Sequence, residues 1–353
     1  MFSWDVWENR GYILMQISWN ILSKYRNELM GISILWIMAF HLVELKHNKL
    51  PNIISDLYGL LFHGYLGVEI FLLLSGVGLY YSYKKNSNVN NFYRKRLRRL
   101  IVPYFIVSGL FFGFHDLVIA KNISLFLKDI SMYSFWFAGN RAVWFIALII
   151  PIYIFYPIIF KIIDSKHFVK KTCFLIIIIY LSIAFLKVFD FKTFVEIEIA
   201  LTRIPAFFLG CIIGRLAYEN RLVSSGVKTL LFISVAIGLC AFNHKNFPVV
   251  NWKLLRGVFF LLSIGFTFYF AILLEVLNND KINTFFANIG KISLEIYLSH
   301  VALLHTLIKT QFYKITNNGL YCSFIIVFVG SIFISFILNK YISPFIYTKI
   351  ERK

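Results

Sequence analysis

Three ionisable side chains stand inside apolar stretches of the sequence, where they could transfer protons. His41 ends the stretch LMGISILWIMAFH, Glu69 lies within FHGYLGVEIFLLLSGVGLYY, and His300 ends GKISLEIYLSH. Ionisable residues inside an apolar span cost free energy and are functional candidates for that reason. An imidazole suits general base catalysis because its pKa lies near neutral pH, and a buried carboxylate beside it can orient the ring.

Each of these residues also has a structural interpretation. A single histidine in a membrane helix can simply hydrogen-bond a neighbouring helix, which is the preferred interpretation of His63 and His115. Glu69 needs a partner or a proton. A rise of 1.5 Å per residue places His41 about 16 Å into its span. Glu69 and His300 lie at comparable depths, so the three side chains are predicted to reach similar levels near the middle of the bilayer.

A second chemical feature is the segment YKKNSNVNNFYRKRLRRLIVPYF, residues 83–105, which is rich in cations. They are Lys84, Lys85, Arg94, Lys95, Arg96, Arg98 and Arg99. A helix from Asn91 would place Arg96 and Arg99 on one face. Because the guanidinium fork suits bidentate phosphate contacts, Arg96 and Arg99, helped by Arg94 and Lys95, are predicted to bind a polyanionic cofactor. An anchor for anionic lipid head groups is the alternative.

The composition identifies the elements that must position these residues. The chain has 353 residues, of which 59% are hydrophobic and 15% are charged. A soluble domain is about 45–50% apolar and about 25% charged, so this is predicted to be an all-α, polytopic membrane protein. About ten transmembrane helices are expected, at residues 29–45, 57–83, 100–120, 143–160, 172–189, 197–217, 228–243, 255–277, 292–308 and 319–347.

The distribution of Lys and Arg predicts the orientation. With the N-terminus inside, the inner segments hold 23 of the 36 Lys and Arg residues, so both termini are predicted to be cytoplasmic. The net charge of +19 is then mostly a topology signal and does not indicate nucleic acid binding. Residues 1–28 are predicted to form a cytoplasmic segment and residues 29–353 a single transmembrane domain. No spacing of Cys and His suggests a metal site.

Several segments together resemble the membrane-bound acyltransferase family 3, bacterial integral membrane enzymes that mostly O-acetylate surface carbohydrates. The similarity extends over residues 28–345 approximately. The segments are ELMGISILWIMAFH (28–41), GYLGVEIFLLLSG (64–76), FYRKRLRRLIVPY (92–104), VWFIALIIPIYIFYP (143–157), RIPAFFLGCIIG (203–214) and KISLEIYLSH (291–300).

The motifs of that family fall on named positions of this chain, with one departure. The family carries Arg or Lys ten residues before the histidine of the first span. His41 matches the histidine, but Met30 stands at the basic position. Glu69 resembles the acid of the family's GV-acid-x-F motif. Arg96 and Arg99 resemble its Arg-x-x-Arg motif, and Arg203 resembles its arginine before Ile-Pro.

The resemblance implies acyl transfer from acetyl-coenzyme A, or another acyl-coenzyme A, to a carbohydrate or glycolipid hydroxyl at a bacterial cytoplasmic membrane. Coenzyme A would be a substrate, with no permanently bound cofactor. His41 is the predicted base, with Glu69 or the Tyr297/His300 pair orienting it, or it carries the acyl group covalently.

The acceptor is predicted to meet Arg203, Trp144 and Tyr297. Arg203 could line a substrate path or anchor the protein at the membrane interface. Aromatic residues around Trp144 could stack on sugar rings or form an interfacial belt. A transporter of polysaccharide or lipid-linked sugar is the alternative function, and it would not need a phosphate site at residues 94–99. The acyl group, the acceptor and the oligomeric state are not readable from the sequence.

Overall fold

A computed structural model describes residues 17–44, 60–243, 259–311 and 319–351, and nearly all of them are helical. The helices are α1 (Arg26–Glu44), α2 (Gly67–Lys85), α3 (Val89–Phe112), α4 (Ile123–Ile130), α5 (Tyr133–Ala138), α6 (Trp144–Ile163), α7 (Phe168–Phe189), α8 (Phe191–Leu201), α9 (Ile204–Tyr218), α10 (Ser225–Asn243), α11 (Phe259–Leu277), α12 (Asp280–Lys291), α13 (Ser293–Lys309), α14 (Gly319–Ile325), α15 (Ser331–Ile337) and α16 (Ser343–Glu351).

Wider, π-helical turns extend three of these helices. One covers Gly113–Ile119 after α3, and two more, Ile326–Gly330 and Leu338–Ile342, join α14, α15 and α16. Within the described residues the only bridge of the β type pairs Ser18 with Leu222. The all-α prediction is confirmed for this part of the chain. A helix satisfies its own backbone hydrogen bonds, which a membrane interior requires.

Six helical segments are long and apolar enough to cross a membrane: Leu60–Lys85, Val89–Ile119, Arg141–Ile163, Phe168–Phe189, Phe191–Tyr218 and Cys322–Tyr347. Two more, Ser225–Cys240 and Leu261–Leu277, are apolar but shorter. The remaining two predicted spans correspond to α1 and α13. The count of ten spans and the cytoplasmic termini therefore stay predictions.

The described chain divides into two compact units. Among the described residues, unit 1 holds 17–44, 60–86, 160–177, 202–243 and 259–291, and unit 2 holds 87–159, 178–201, 292–311 and 319–351. The prediction of a single transmembrane domain is not decided by this division.

Glycines set the packing of unit 1. A Cβ atom added at Gly210 of α9 would lie 2.1 Å from the carbonyl oxygen of Leu73 in α2, so the two backbones touch there. Gly214 lies against Val77 one turn further along. A glycine also allows close packing of α1 against α12, where a Cβ atom at Gly31 would lie 2.0 Å from the carbonyl oxygen of Phe286. Small residues allow this approach, as in many membrane helix pairs.

Unit 2 is organised around α3 and α13, which pack against each other. At the end of α3, the short helix α4 packs against the π-helical turn, and α5 packs against α4. The Tyr104 hydroxyl of α3 donates a hydrogen bond of 2.9 Å to the carbonyl oxygen of Ile130 at the end of α4. The burial pattern of α4 is the reverse of that in a helix of a soluble protein. Its apolar side chains Ile123 and Leu127 are exposed, and its acidic side chain Asp129 is buried. This pattern suits a helix lying against lipid.

Candidate functional site

A buried ion pair joins two of the predicted site residues in unit 1. Arg203 Nε lies 2.9 Å from Glu69 Oε1, and the side chains are only 3% and 0% exposed. Glu69 thus has the partner that an intramembrane carboxylate requires. The attraction is strong in such surroundings, and it offsets a large loss of hydration.

Local sequence explains how both members of this pair are positioned. Gly67, two residues before Glu69, lets α2 approach α1 so closely that an added Cβ atom would lie 2.7 Å from the carbonyl oxygen of Ser33. Arg203 precedes α9, whose second residue is Pro205. Proline is favoured in the first turn of a helix, where its missing N–H is not needed, so α9 begins at the arginine.

His41 lies near the end of α1 among aromatic rings. Its ring centroid is 4.9 Å from that of Phe40, and the Phe40 ring is 5.7 Å from the ring of Tyr65. The ring of His63 is 5.6 Å from the same tyrosine. Tyr65 was not a predicted site residue and His63 was given a structural role; both lie in the aromatic group that Phe40 links to His41. The sequence HGY at residues 63–65 gives only a weak indication that His63 and Tyr65 belong to this aromatic group.

The register of α1 against α2 separates His41 from Glu69. Gly67 packs at Ser33 and Ile37, and the two helices run in opposite directions. His41 lies about 9 Å beyond the midpoint of Ser33 and Ile37, and Glu69 lies about 3 Å to the other side. Their Cα atoms are therefore roughly 12 Å apart along the helix axes. This spacing argues against the similar levels expected for these two residues.

The predicted phosphate-binding cations lie in the first turns of α3 in unit 2. The helix begins at Val89, where the Asn88 side chain accepts a hydrogen bond of 2.9 Å from the Asn91 backbone. The expected helix over this segment is confirmed, so Arg96 and Arg99 are three residues apart on it. The side chains of Arg94, Lys95 and Arg99 are exposed, and Arg96 is half-buried.

Another cation of the same segment has a structural contact. Arg98 donates a hydrogen bond from Nη2 to the carbonyl oxygen of Tyr347, and its guanidinium lies 4.4 Å from the centre of the Tyr347 ring. Arg98 therefore ties α3 to α16 within unit 2. Arg94, Lys95, Arg96 and Arg99 stay the predicted ligand contacts of this segment.

Lys84 also has a structural contact, within unit 1. Its ammonium donates hydrogen bonds of 2.9 and 2.8 Å to the two carboxylate oxygens of Asp164, and the Tyr80 hydroxyl donates one of 2.7 Å to the same group. Burial by itself raises the pKa of Asp164, but the hydrogen bonds from Lys84 and Tyr80 outweigh it and hold that pKa below its usual value. Asp164 is therefore ionised at neutral pH, and its hydrogen bonds with Lys84 and Tyr80 hold the end of α2 in place.

His300 is fully buried in unit 2, and its hydrogen bond defines its tautomer. Nδ1 lies 2.9 Å from the carbonyl oxygen of Ile296. A carbonyl only accepts, so Nδ1 carries the hydrogen and Nε2 is the acceptor of the neutral ring. The ring of Tyr297 is 5.7 Å from His300 and 5.2 Å from Phe145. The predicted neighbours Tyr297 and His300 thus lie together. In this tautomer, Nε2 of His300 is the ring atom that can accept a proton.

The predicted acceptor contact Trp144 is buried at the start of α6, with its ring 5.9 Å from the next residue, Phe145. Tyr133 and Phe137 of α5 are exposed instead, and their ring centroids are 4.7 Å apart. Of the aromatic residues in this region, these two rings are better placed than Trp144 to stack on a ligand or to meet lipid.

Unit 2 contains buried acids that were not among the predicted site residues. Glu198 is fully buried and lies 3.2 Å from Arg141 Nη2. Asp116 and Asp129 are 2% and 6% exposed. Asp116 and Glu198 lie within apolar runs, which is the signal that singled out Glu69 and could have identified these acids as well. In the described residues, no three Cys, His, Asp or Glu side chains are grouped as metal ligands would be.

Comparison with known proteins gives one match. The model of a protein family described as an acyltransferase domain, acyltransferase family 3, matches residues 29–340. No curated protein and no solved structure matches the chain. The match extends over most of the chain and includes both units. Together with the apolar helices, it identifies a multi-pass membrane protein that belongs to acyltransferase family 3.

Proposed function

We propose that this acyltransferase moves an acetyl group, or another short acyl group, from a coenzyme A thioester to a hydroxyl of a cell-surface carbohydrate or its lipid-linked precursor. The observation that carries the proposal is the exposed cationic turn of α3 in a chain of this family. The phosphates of coenzyme A require cations, and arginine is well suited to bind them. A bacterial cytoplasmic membrane would be the location.

The donor site is assigned to Arg94, Lys95, Arg96 and Arg99. The three exposed side chains lie within the first three turns of a helix whose apolar part then continues to Ile119. A ligand that binds there can place its phosphates in water and its thioester toward the apolar part. Arg96 is half-buried, and Arg99 lies nearly one turn closer to that part.

Proton transfer is assigned to His41. The acceptor hydroxyl gives its proton to the imidazole while its oxygen attacks the thioester carbonyl carbon. The carbon–sulfur bond breaks, and the thiolate of coenzyme A takes the proton from the imidazolium. General base catalysis of this kind contributes about 10²–10⁴-fold. In a variant of the mechanism His41 itself takes the acyl group before passing it on.

The other predicted residues have supporting roles. Arg203 lies beside Glu69 in unit 1, so a guanidinium and a carboxyl group are in contact in the buried interior of that unit. His300 could serve as a second base, because Nε2 is its acceptor atom and Tyr297 packs against it. Carbohydrate binding is supported by the exposed rings of Tyr133 and Phe137.

Acetyl-coenzyme A binding to the purified protein, measured by calorimetry in detergent, tests the donor site. Arg96→Ala/Arg99→Ala should weaken binding by about 100-fold or more, because hydrogen bonds to charged groups contribute about 1.5–3 kcal/mol each. The matched control is Lys161→Ala/Lys166→Ala, which removes two exposed cations elsewhere and should leave affinity unchanged.

Two results would contradict the proposal. If the wild-type protein does not bind acetyl-coenzyme A, the transporter becomes the better explanation. If a folded His41→Ala protein acylates its acceptor at the wild-type rate, His41 is not the base.

A further inference from the structure

The connection between α6 and α7 in unit 1 is rich in exposed lysines. The segment KIIDSKHFVKK, residues 161–171, carries five exposed basic side chains: Lys161, Lys166, His167, Lys170 and Lys171. We call this segment the lysine-rich turn. It contains none of the residues assigned to the donor site, so its positive charge requires a separate explanation.

The acid within this segment is already neutralised by other residues of unit 1. Asp164 is the one acid of residues 161–171. Its carboxylate accepts hydrogen bonds of 2.9 and 2.8 Å from the Lys84 ammonium and one of 2.7 Å from the Tyr80 hydroxyl. Because Lys84 offsets the charge of Asp164, the lysines of the turn keep an excess of positive charge. Such a surface attracts an anion.

Arg215 of α9 holds the backbone of the lysine-rich turn in one conformation. Its Nη1 donates hydrogen bonds of 2.7 Å to the carbonyl oxygens of Ile163 and Ser165, on either side of Asp164. Its guanidinium also lies 4.1 Å from the centre of the Phe168 ring. A ligand therefore meets a turn whose backbone is already ordered, and less conformational entropy is lost on binding.

An exposed apolar stripe begins beside the lysines and follows α7. Phe174 and Ile177 lie four and seven residues after Lys170, so the three side chains share one face of the helix. Phe174 is 63% exposed and Ile177 is 55% exposed. The stripe from Lys170 to Ile177 is about 10 Å long, which is most of the depth of one leaflet of the hydrocarbon core. Helix α7 is itself apolar and long enough to cross a membrane.

A cationic end joined to an apolar stripe selects an amphiphilic anion. An anionic phospholipid has both parts, a phosphate for the lysines and an acyl chain for Phe174 and Ile177. A zwitterionic phospholipid adds an ammonium group that the lysines repel. A soluble phosphate would leave the apolar stripe without a contact.

We infer that the lysine-rich turn binds the phosphate of an anionic phospholipid such as phosphatidylglycerol, and that an acyl chain of this lipid lies along Phe174 and Ile177. Each lysine near a membrane surface strengthens such binding about fivefold. This site goes beyond the proposed function and does not depend on coenzyme A binding. The phosphate group also occurs in soluble molecules, so the experiment includes a phosphate without acyl chains.

Thermal unfolding of the purified protein in detergent tests the inference. Phosphatidylglycerol, phosphatidylcholine or glycerol phosphate is titrated at constant ionic strength, and the rise of the unfolding midpoint gives an apparent affinity. Phosphatidylglycerol should raise the midpoint of the wild type well above the effect of the other two. Lys166→Gln/Lys170→Gln/Lys171→Gln should bind phosphatidylglycerol about tenfold more weakly, or more weakly still, with unchanged affinity for acetyl-coenzyme A.

Two control variants accompany this test. Lys121→Gln/Lys128→Gln/Lys192→Gln removes the same charge at three exposed lysines of unit 2 and should keep the affinity of the wild type for phosphatidylglycerol. Arg96→Ala/Arg99→Ala should keep it as well, because these arginines belong to the cationic turn of α3.

Three results would overturn the inference. An equal rise of the midpoint with phosphatidylcholine would mean that lipid surrounds α7 without regard to its charge. An equal rise with glycerol phosphate would make the lysine-rich turn a site for soluble phosphate. If the triple lysine variant keeps its affinity for phosphatidylglycerol, or Arg96→Ala/Arg99→Ala loses it, the lipid binds elsewhere on the protein.

Discussion

At the scale of single residues, the interior of unit 1 contains a full ion pair, Glu69–Arg203. The sequence marked Glu69 as costly inside a span and as a residue that could orient His41, and it left Arg203 as either an interface anchor or part of a substrate path. Their contact joins positions that are 134 residues apart, which no local pattern encodes. Removing one partner leaves an uncompensated charge in apolar surroundings, which costs more than removing both.

Arg203→Ala should therefore destabilise the protein by about 3–5 kcal/mol. The double variant Glu69→Gln/Arg203→Gln should lose less stability than the sum of the losses for Glu69→Gln alone and Arg203→Gln alone. Thermal unfolding in detergent, followed by size-exclusion chromatography, measures this. The matched control is Arg221→Ala, which breaks an exposed Arg–Glu contact of 3.9 Å and should change stability by at most about 1 kcal/mol. Equal effects of Arg203→Ala and Arg221→Ala would contradict this account.

At the scale of elements, helix packing follows small residues that the sequence displays. Gly210 and Gly214 form a GxxxG pattern, which is typical of close helix packing, and both contact α2 closely. The helix of the cationic segment was predicted from Asn91 and begins at Val89. The π-helical turn and the inverted face of α4 were not predicted, because they depend on how the end of α3 packs against α4 and α13.

Gly210→Ala should force α2 and α9 apart, because the new Cβ atom would lie 2.1 Å from the backbone of Leu73. The expected loss is about 1–3 kcal/mol, typical of overpacking. Gly109→Ala is the control, since an added Cβ atom meets nothing within 4 Å there, and it should be neutral or slightly stabilising. Thermal unfolding compares them, and an unchanged midpoint for Gly210→Ala would refute the close contact.

At the scale of the whole molecule, the sequence predicts membrane insertion and orientation from hydropathy and from Lys and Arg. The structure supports a multi-pass helical protein and leaves the orientation as a prediction. The proposed donor site depends on it, since the cationic turn must face the cytoplasm to receive coenzyme A.

Fusions to alkaline phosphatase, which is active only outside the cytoplasm, test this orientation. A fusion after Asn122 should be active, because the preceding span would carry the chain outward, and a fusion after Lys353 should be inactive. A green fluorescent protein fusion at the C-terminus, which should fluoresce, controls for expression. An active phosphatase at the C-terminus would reverse the orientation and place the cationic turn outside.

The sequence alone determined the helical membrane class, the family and the residue types that carry chemistry, because hydropathy, helix period and local motifs are properties of neighbouring positions. Tertiary structure decided which of these residues have partners. It paired Glu69 with Arg203, tied Arg98 to Tyr347 and set the tautomer of His300. Most of these contacts join residues far apart in the chain, and helix packing selects them.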